Sequence, residues 1–132
     1  GLAIAGFIPG VSEARAAYKT AKAAAKYEGL VYRAASGTPL SMTPRTKDIK
    51  GLSAAISVDA PAALPGRNQI IDTRKFSNLC AVCDNAATGH ISIVPSDISQ
   101  MPGWIASRGN PDVHPLTKEV MDSIVGTVNV KK

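Results

Sequence analysis

The sequence predicts an α+β fold in which an N-terminal helix precedes a small, mostly antiparallel, twisted sheet and C-terminal helices. Its 132 residues correspond to one domain, long enough to bury a core of its own. The first part of the chain is rich in alanine and lysine, which favour a helix. From Leu30 onward, short apolar runs alternate with glycine and proline, which is typical of strands joined by turns.

The N-terminal segment reads as a leader followed by a helix. An apolar run over residues 2–8 ends at Pro9-Gly10, and Ser12 suits the N-cap of a helix that ends near Glu28, before Gly29. We therefore expect residues 1–28 to form a leader or linker with an N-terminal helix, and residues 29–132 to form the functional domain. Four cations share one face of this helix because of their spacing: Arg15, Lys19, Lys22 and Lys26.

The body of the chain contains four predicted strands. The clearest is Gly-His-Ile-Ser-Ile-Val-Pro, because it holds closely spaced β-branched residues between a glycine and a proline. The predicted strands cover residues 30–35, 51–58, 69–72 and 89–95, with a long polar loop over 41–50.

Three helical segments are predicted among or after these strands. Met101, Trp104 and Ile105 have helical spacing, and Pro102 places the start of their helix near that point. The predicted segments are a short helical turn over 59–64, a helix within 98–107 and an amphipathic helix over 116–125.

The two cysteines form a Cys-Ala-Val-Cys sequence at Cys80 and Cys83. Residues 84–89 read as a loop, so the sequence favours two small side chains in a loop or a local disulfide. A four-ligand zinc site would need both His90 and His114 to join the pair.

The charge of the chain favours anionic partners. Its formal net charge is +5 and its isoelectric point is about 9.4, values typical of proteins that bind nucleic acid or acidic protein surfaces. No segment approaches the ~20 apolar residues of a membrane-spanning helix. The cations of the middle segment fall in predicted loops and strand ends, where a phosphate-binding cleft would draw its ligands: Arg33, Arg45, Lys47, Lys50, Arg67, Arg74 and Lys75.

The chain holds two histidines, and both have rigid neighbours in the sequence. His90 begins the clearest strand, and His114 lies between Pro111 and Pro115. One histidine could take the proton of an RNA 2′-hydroxyl while the other protonates the leaving 5′-oxygen, with arginines stabilising the charge that develops. The carboxylates form no evident metal-binding set, so no metal is expected.

Residues 1–27 resemble the glycine-proline linker and helix that precede the toxic tips of polymorphic bacterial toxins, of the Rhs, contact-dependent inhibition and type VI secretion classes. Downstream stretches such as Tyr32-Arg33 and Gly89-His90-Ile91-Ser92 look like an exchangeable toxin module. The resemblance implies a toxin catalytic domain over 29–132 that is released from a carrier polypeptide and delivered into the cytoplasm of a target bacterium. It also implies a cognate immunity protein, which we expect to be acidic.

Among toxins of this class, the chain is similar to ribonucleases of the barnase–EndoU–colicin–RelE group. This resemblance implies metal-independent cleavage of tRNA or rRNA without a cofactor. The candidate catalytic residues are His90, His114, Arg45 and Arg33, and the candidate substrate-binding residues are Thr43, Lys47, Ser53, Ser92 and Arg74.

An ADP-ribosyltransferase-like toxin is the alternative. Tyr32-Arg33 and Gly51-Leu52-Ser53 resemble the arginine and serine motifs that hold NAD in that family, and the substrate would be a protein or RNA of the translation machinery. The glutamate that the family places on a later strand is missing, since the corresponding strand offers His90. A third interpretation is a tip that inserts at a membrane surface through residues 2–8 and the basic helix.

Overall fold

The computed structural model describes residues 26–48 and 50–132 and confirms an α+β fold. In this part of the chain, seven strands form one antiparallel sheet in the order β1-β5-β6-β3-β2-β4-β7, with two short helices. The strands are β1 (Lys26–Tyr27), β2 (Leu30–Ala34), β3 (Leu52–Ala55), β4 (Gly66–Asp72), β5 (Leu79–Asn85), β6 (His90–Pro95) and β7 (Ile124–Val130). The helices are α1 (Met101–Ala106) and α2 (Pro115–Asp122), and 3-10 turns cover Thr73–Lys75 and Ile98–Gln100.

Alternate residues of the central strands build the main core on one face of the sheet. Ile91 and Ile93 of β6 lie opposite Ala54 and Leu52 of β3, and these four side chains are buried in one cluster with Trp104. Leu116 and Val120 of α2 belong to the same cluster. The two helices therefore cover this face, and residues that alternate with the core positions, such as His90 and Ser92, point to the other.

A buried hydroxyl joins the two helices to the loop after β2. Thr117 Oγ1 accepts a hydrogen bond from Trp104 Nε1 at 2.8 Å and shares one with Thr43 Oγ1 at 2.6 Å. Glu119 fixes the other side of α2, because its Oε2 accepts from the backbone N–H groups of residues 77, 78 and 79, where β5 begins. These contacts hold α2 against the sheet with its buried polar groups satisfied.

The structure corrects the prediction that the cysteines lie in a loop. Cys80 and Cys83 belong to β5, which pairs along its length with β6. Residues three apart in a strand point to opposite faces, so the two thiols do not form a disulfide with each other. The sequence Leu-Cys-Ala-Val-Cys lacks the alternation of a half-buried strand, since β5 is buried on both faces over its first four residues.

The C-terminal helix is shorter than predicted, and a strand follows it. α2 ends at Asp122, and Ile124, which lies within the helix predicted over 116–125, begins β7. Residues 124–129 alternate between half-buried and exposed positions, and Val130 is buried; the strand pairs with β4, where Gly126 lies opposite Ile70. Leu116, Val120 and Ile124 have helical spacing in the sequence, although Ile124 already belongs to the strand. This chance spacing explains why the predicted helix is too long.

Two further helical predictions fail within the described residues. Lys26–Tyr27, expected at the end of the N-terminal helix, forms β1 and pairs with Val82 and Ala81 of β5, because the edge of β5 offers main-chain partners that override helix propensity. The rest of that predicted helix lies outside the described residues. Residues 56–62 form bends and turns, and residues 63 and 64 have no regular structure, where a helical turn was expected over 59–64.

None of the helices within residues 26–48 and 50–132 has the length and apolar character needed to span a membrane.

Candidate active site

A β-bulge in β5 places a carboxylate beside His90. The pairing of β5 with β6 shifts register between Cys83 and Asn85, so Asp84 is the extra residue of the bulge. Bulges redirect side chains and are common next to active sites. At this one, Asp84 Oδ1 lies 2.6 Å from His90 Nδ1, and Asp84 Oδ2 accepts a hydrogen bond from Ser92 Oγ at 2.6 Å.

The Asp84 carboxylate fixes the imidazole of His90. An ionised carboxylate only accepts hydrogen bonds, so His90 donates through Nδ1–H and its Nε2 keeps a lone pair when the ring is neutral. The His90 side chain is 33% exposed and the Asp84 side chain 21%. Within the described part of the chain, Nε2 has no hydrogen-bond partner, so this nitrogen is available to a bound molecule.

The turn before His90 depends on glycine. Gly89 has a φ of +72°, and a Cβ there would lie 2.7 Å from Ile56 Cγ2 and 2.9 Å from Ala60 Cβ. Its carbonyl accepts from Ile56 N at 2.9 Å. The close packing of Gly89 against Ile56 and Ala60, together with this hydrogen bond, fixes the start of β6. This rigid support keeps His90 in place beside Asp84.

Ser92 and Ser53 are cross-strand neighbours on the face that carries His90. Ser53 of β3 lies directly opposite Ser92 of β6. Ser92 is only 3% exposed, whereas Ser53 is exposed. Ser92 donates to Asp84 and thereby holds the second carboxylate oxygen, so its hydroxyl positions the Asp84–His90 pair.

The Arg33 side chain binds main-chain carbonyl groups of β3 and of the loop after β2. Its Nη1 donates to Ser53 O at 2.7 Å, and its Nη2 and Nε donate to Ser41 O at 2.8 and 3.3 Å. Burial lowers the pKa of Arg33, an effect that Asp48 opposes and Arg45 reinforces. The guanidinium thus ties the loop after β2 to β3.

Arg45 and Lys47 line a cleft of about 710 Å³ between the loop after β2 and α1. Arg45 Nε donates to Asp48 Oδ2 at 3.1 Å. Burial raises the pKa of Asp48, but hydrogen bonds from Arg45 and the charges of Arg45 and Arg33 together lower it below its ordinary value. Arg108, which is not among the site residues predicted from sequence, lines the same cleft. We refer to this feature, lined by residues 45–47, Pro102, Ile105, Ala106 and Arg108, as the basic cleft.

His114 caps α2. Its Nδ1 accepts a hydrogen bond from Leu116 N at 3.1 Å, and Pro115 follows at the first helical position. Burial lowers the pKa of His114, which suits a neutral, accepting imidazole. The ring lines a recess of about 360 Å³ together with Thr43, whose buried hydroxyl is shared with Thr117.

Arg74 lies apart from these groups. It forms an exposed ion pair with Asp72 at 2.8 Å, and its side-chain hydrogen bond is the largest effect lowering the pKa of Asp72. Arg74 also directs its Nη2 to the same carboxylate. Asp72 in turn caps the 3-10 turn that contains Arg74, which gives the pair a local structural role.

The structure therefore divides the residues predicted from sequence. His90 and Ser92 meet at the bulge, with Ser53 in the adjacent register position. Arg45 and Lys47 meet in the basic cleft, on the side of the sheet that carries the helices. β6 runs from His90 towards the segment that leads into α1, and its five residue steps span about 17 Å. The His90 site therefore lies on the face of the sheet opposite the one that carries α1 and the basic cleft.

Across 26–48 and 50–132, no three His, Cys, Asp or Glu side chains cluster in a way that could hold a metal ion. Arg33 and Ser53, the residues expected to hold NAD in the alternative, are adjacent through the Ser53 carbonyl.

Comparison with known proteins gives no relative: no protein-family model matches the chain, and neither a curated protein nor a solved structure matches it significantly.

Proposed function

We propose that this chain is an antibacterial toxin domain that cleaves RNA without a metal ion, with His90 as its general base. The observation that carries the proposal is the Asp84 carboxylate on Nδ1 of His90, at 2.6 Å. This contact leaves Nε2 as a proton acceptor on a partly exposed ring at a rigid strand start. The fold assignment within the barnase–EndoU–colicin–RelE group is part of the same proposal.

The reaction requires one proton to be taken and one to be given. His90 Nε2 removes the proton of a 2′-hydroxyl, and the 2′-oxygen attacks the adjacent phosphorus. The bond from phosphorus to the 5′-oxygen breaks, leaving a 2′,3′-cyclic phosphate, and water protonates the leaving oxygen. Asp84 stabilises the imidazolium that forms, as the carboxylate partner of a catalytic histidine does in hydrolases.

A serine hydrolase is less well supported by the same residues. A nucleophilic serine would donate its hydroxyl to the imidazole, whereas Ser92 donates to Asp84 Oδ2. Ser92 is also buried, so a substrate carbonyl could not approach its oxygen directly.

An NAD-dependent transferase is the second candidate, because Arg33 and Ser53 are adjacent. The three donor atoms of Arg33 that make hydrogen bonds all contact main-chain carbonyls, so its guanidinium is held by the protein itself. The RNA-cleaving proposal therefore has the stronger support.

The proposal is tested by incubating the purified protein with total bacterial RNA in EDTA, beside a reaction with labelled NAD and cell lysate. We expect discrete fragments that end in 2′,3′-cyclic phosphate. Intact RNA together with label transferred to a protein or RNA band would assign the chain to the transferase class. Protection by an acidic protein encoded with the toxin would support neutralisation by an immunity protein.

A further inference from the structure

We infer that the basic cleft is a binding site for phosphate esters, separate from the His90 site. The cleft collects three cations from two segments: Arg45 and Lys47 from the loop after β2, and Arg108 just after α1. Concave surfaces lined by charges of one sign concentrate counter-ions. The inference does not depend on RNA cleavage.

The state of the three cations favours an anionic ligand. Arg45 points two of its nitrogens at Asp48, which orients the guanidinium and leaves Nη1 available. Within the described residues, Lys47 and Arg108 form no ion pair, and both are exposed. The cleft thus has more positive charge than Asp48 offsets.

The remaining lining suits a phosphate ester better than an acidic peptide. Thr46 adds a hydroxyl beside the cations, and Pro102, Ile105 and Ala106 supply a small apolar wall. Arginine and lysine recognise phosphate oxygens, while the apolar wall can contact a sugar or base. The cleft has a volume of about 710 Å³, which is within the range of small-molecule sites. It is also open to solvent, so an RNA strand longer than one nucleotide could lie across it.

Two sources could supply such an ester: the backbone of RNA, or a free nucleotide. Binding is measured by fluorescence anisotropy with a 12-nucleotide 2′-O-methyl RNA, which cannot be cleaved through a 2′-hydroxyl, and by NMR titration with adenosine 5′-monophosphate. Poly-L-glutamate serves as the acidic polypeptide. Lys47→Gln/Arg108→Gln is compared with Lys118→Gln/Lys131→Gln, which removes the same charge from exposed positions outside the cleft.

We expect Lys47→Gln/Arg108→Gln to weaken RNA binding at least about tenfold. It should also lower the number of counterions released on binding, read from the salt dependence of the affinity, by about one to two. The control double variant should change the affinity by less than about threefold. Nucleotide binding at the cleft with no gain for the longer RNA would identify a free nucleotide as the source. Equal weakening by both double variants would overturn the inference, as would poly-L-glutamate binding as tightly as RNA with the same sensitivity.

Lys47→Glu provides a second test, because it reverses one exposed charge without touching the Arg45–Asp48 pair. It should weaken RNA binding more than Lys47→Gln, and equal affinities would contradict the inference. Failure of the two proposals can be told apart. If the protein cleaves RNA but the cleft variant binds RNA normally, only the inference about the cleft is contradicted. If binding depends on the cleft but RNA is not cleaved, only the proposed function is contradicted.

Discussion

Asp84 and His90 face each other across the β5–β6 hairpin, with 2.6 Å between Asp84 Oδ1 and His90 Nδ1. The contact exists because β5 carries one extra residue at Asp84. Without the bulge, the side chains of β5 would alternate regularly between the two faces, and Asp84 would not be redirected towards His90. The proposed chemistry thus depends on a local irregularity of the sheet.

Asp84→Asn should impair RNA cleavage by about 10²-fold or more, because the amide can donate to Nδ1 and favour the tautomer with the proton on Nε2. The measurement is single-turnover cleavage of a defined RNA, together with the tautomer of His90 from ¹⁵N NMR. A purely structural role for Asp84 would leave the tautomer unchanged in a folded variant, and that result would contradict the assignment.

Ser92→Ala should cost about 1 kcal/mol of unfolding free energy, since it removes a buried hydroxyl that donates to Asp84. Urea unfolding measures this cost. Ser53→Ala is the matched control, because Ser53 is exposed and should change stability by less than about 0.5 kcal/mol. Equal costs for the two serines would show that the Ser92–Asp84 hydrogen bond adds nothing to stability.

Thr117→Val should destabilise the protein by about 1–3 kcal/mol, because it leaves the buried Trp104 Nε1–H without its acceptor. Urea unfolding followed by Trp104 fluorescence reports the change, since the sequence contains one tryptophan. Thr127→Val, at an exposed position of β7, should change stability little. A loss below about 0.5 kcal/mol in Thr117→Val would contradict the role given to this hydroxyl.

His114 should make stability depend on pH. Its folded pKa lies below the ordinary value of 6.5, so the unfolded chain binds the proton more readily. The stabilisation is complete above that value and is lost as pH falls through the lowered folded pKa. Urea unfolding between about pH 5 and about pH 8 should show the loss in the wild type, and His114→Asn should remove this contribution.

Two substitutions of His114 distinguish its role as a helix N-cap from the effect of its protonation on stability. Asparagine accepts hydrogen bonds at helix N-caps, so His114→Asn should keep stability near neutral pH, whereas His114→Ala should cost about 1 kcal/mol. Identical losses in both variants would argue against the hydrogen bond from Leu116 N as the source of stability.

The sequence was sufficient to predict the elements whose signals are local. The strand that begins at His90 and the helix around Trp104 follow from β-branched residues and from helical spacing with Pro102. β7 was missed because Ile124 falls in phase with the helix before it. β5 was missed because its cysteine sequence lies on a strand that is buried on both faces for most of its length, where alternation is absent.

The candidate site was only partly predictable for a related reason. The place of His90 after Gly89 predicts a rigidly held histidine, whereas residues 84–89 read as a loop. The bulge that redirects Asp84 depends on pairing between two strands. Arg108 joins the basic cleft through the packing of α1 against a distant loop, which spacing does not encode. The Pro at the first helical position and the histidine before it did carry a signal for the His114 cap, since proline is favoured there.

The most direct test of the account compares the two histidines in one assay. Wild type, His90→Gln and His114→Asn are incubated with total bacterial RNA in EDTA, after circular dichroism has shown that each is folded. We predict that wild type and His114→Asn release the same fragments with 2′,3′-cyclic phosphate ends, and that His90→Gln releases none. Equal cleavage by folded His90→Gln would contradict the claim that His90, held by Asp84, is the general base.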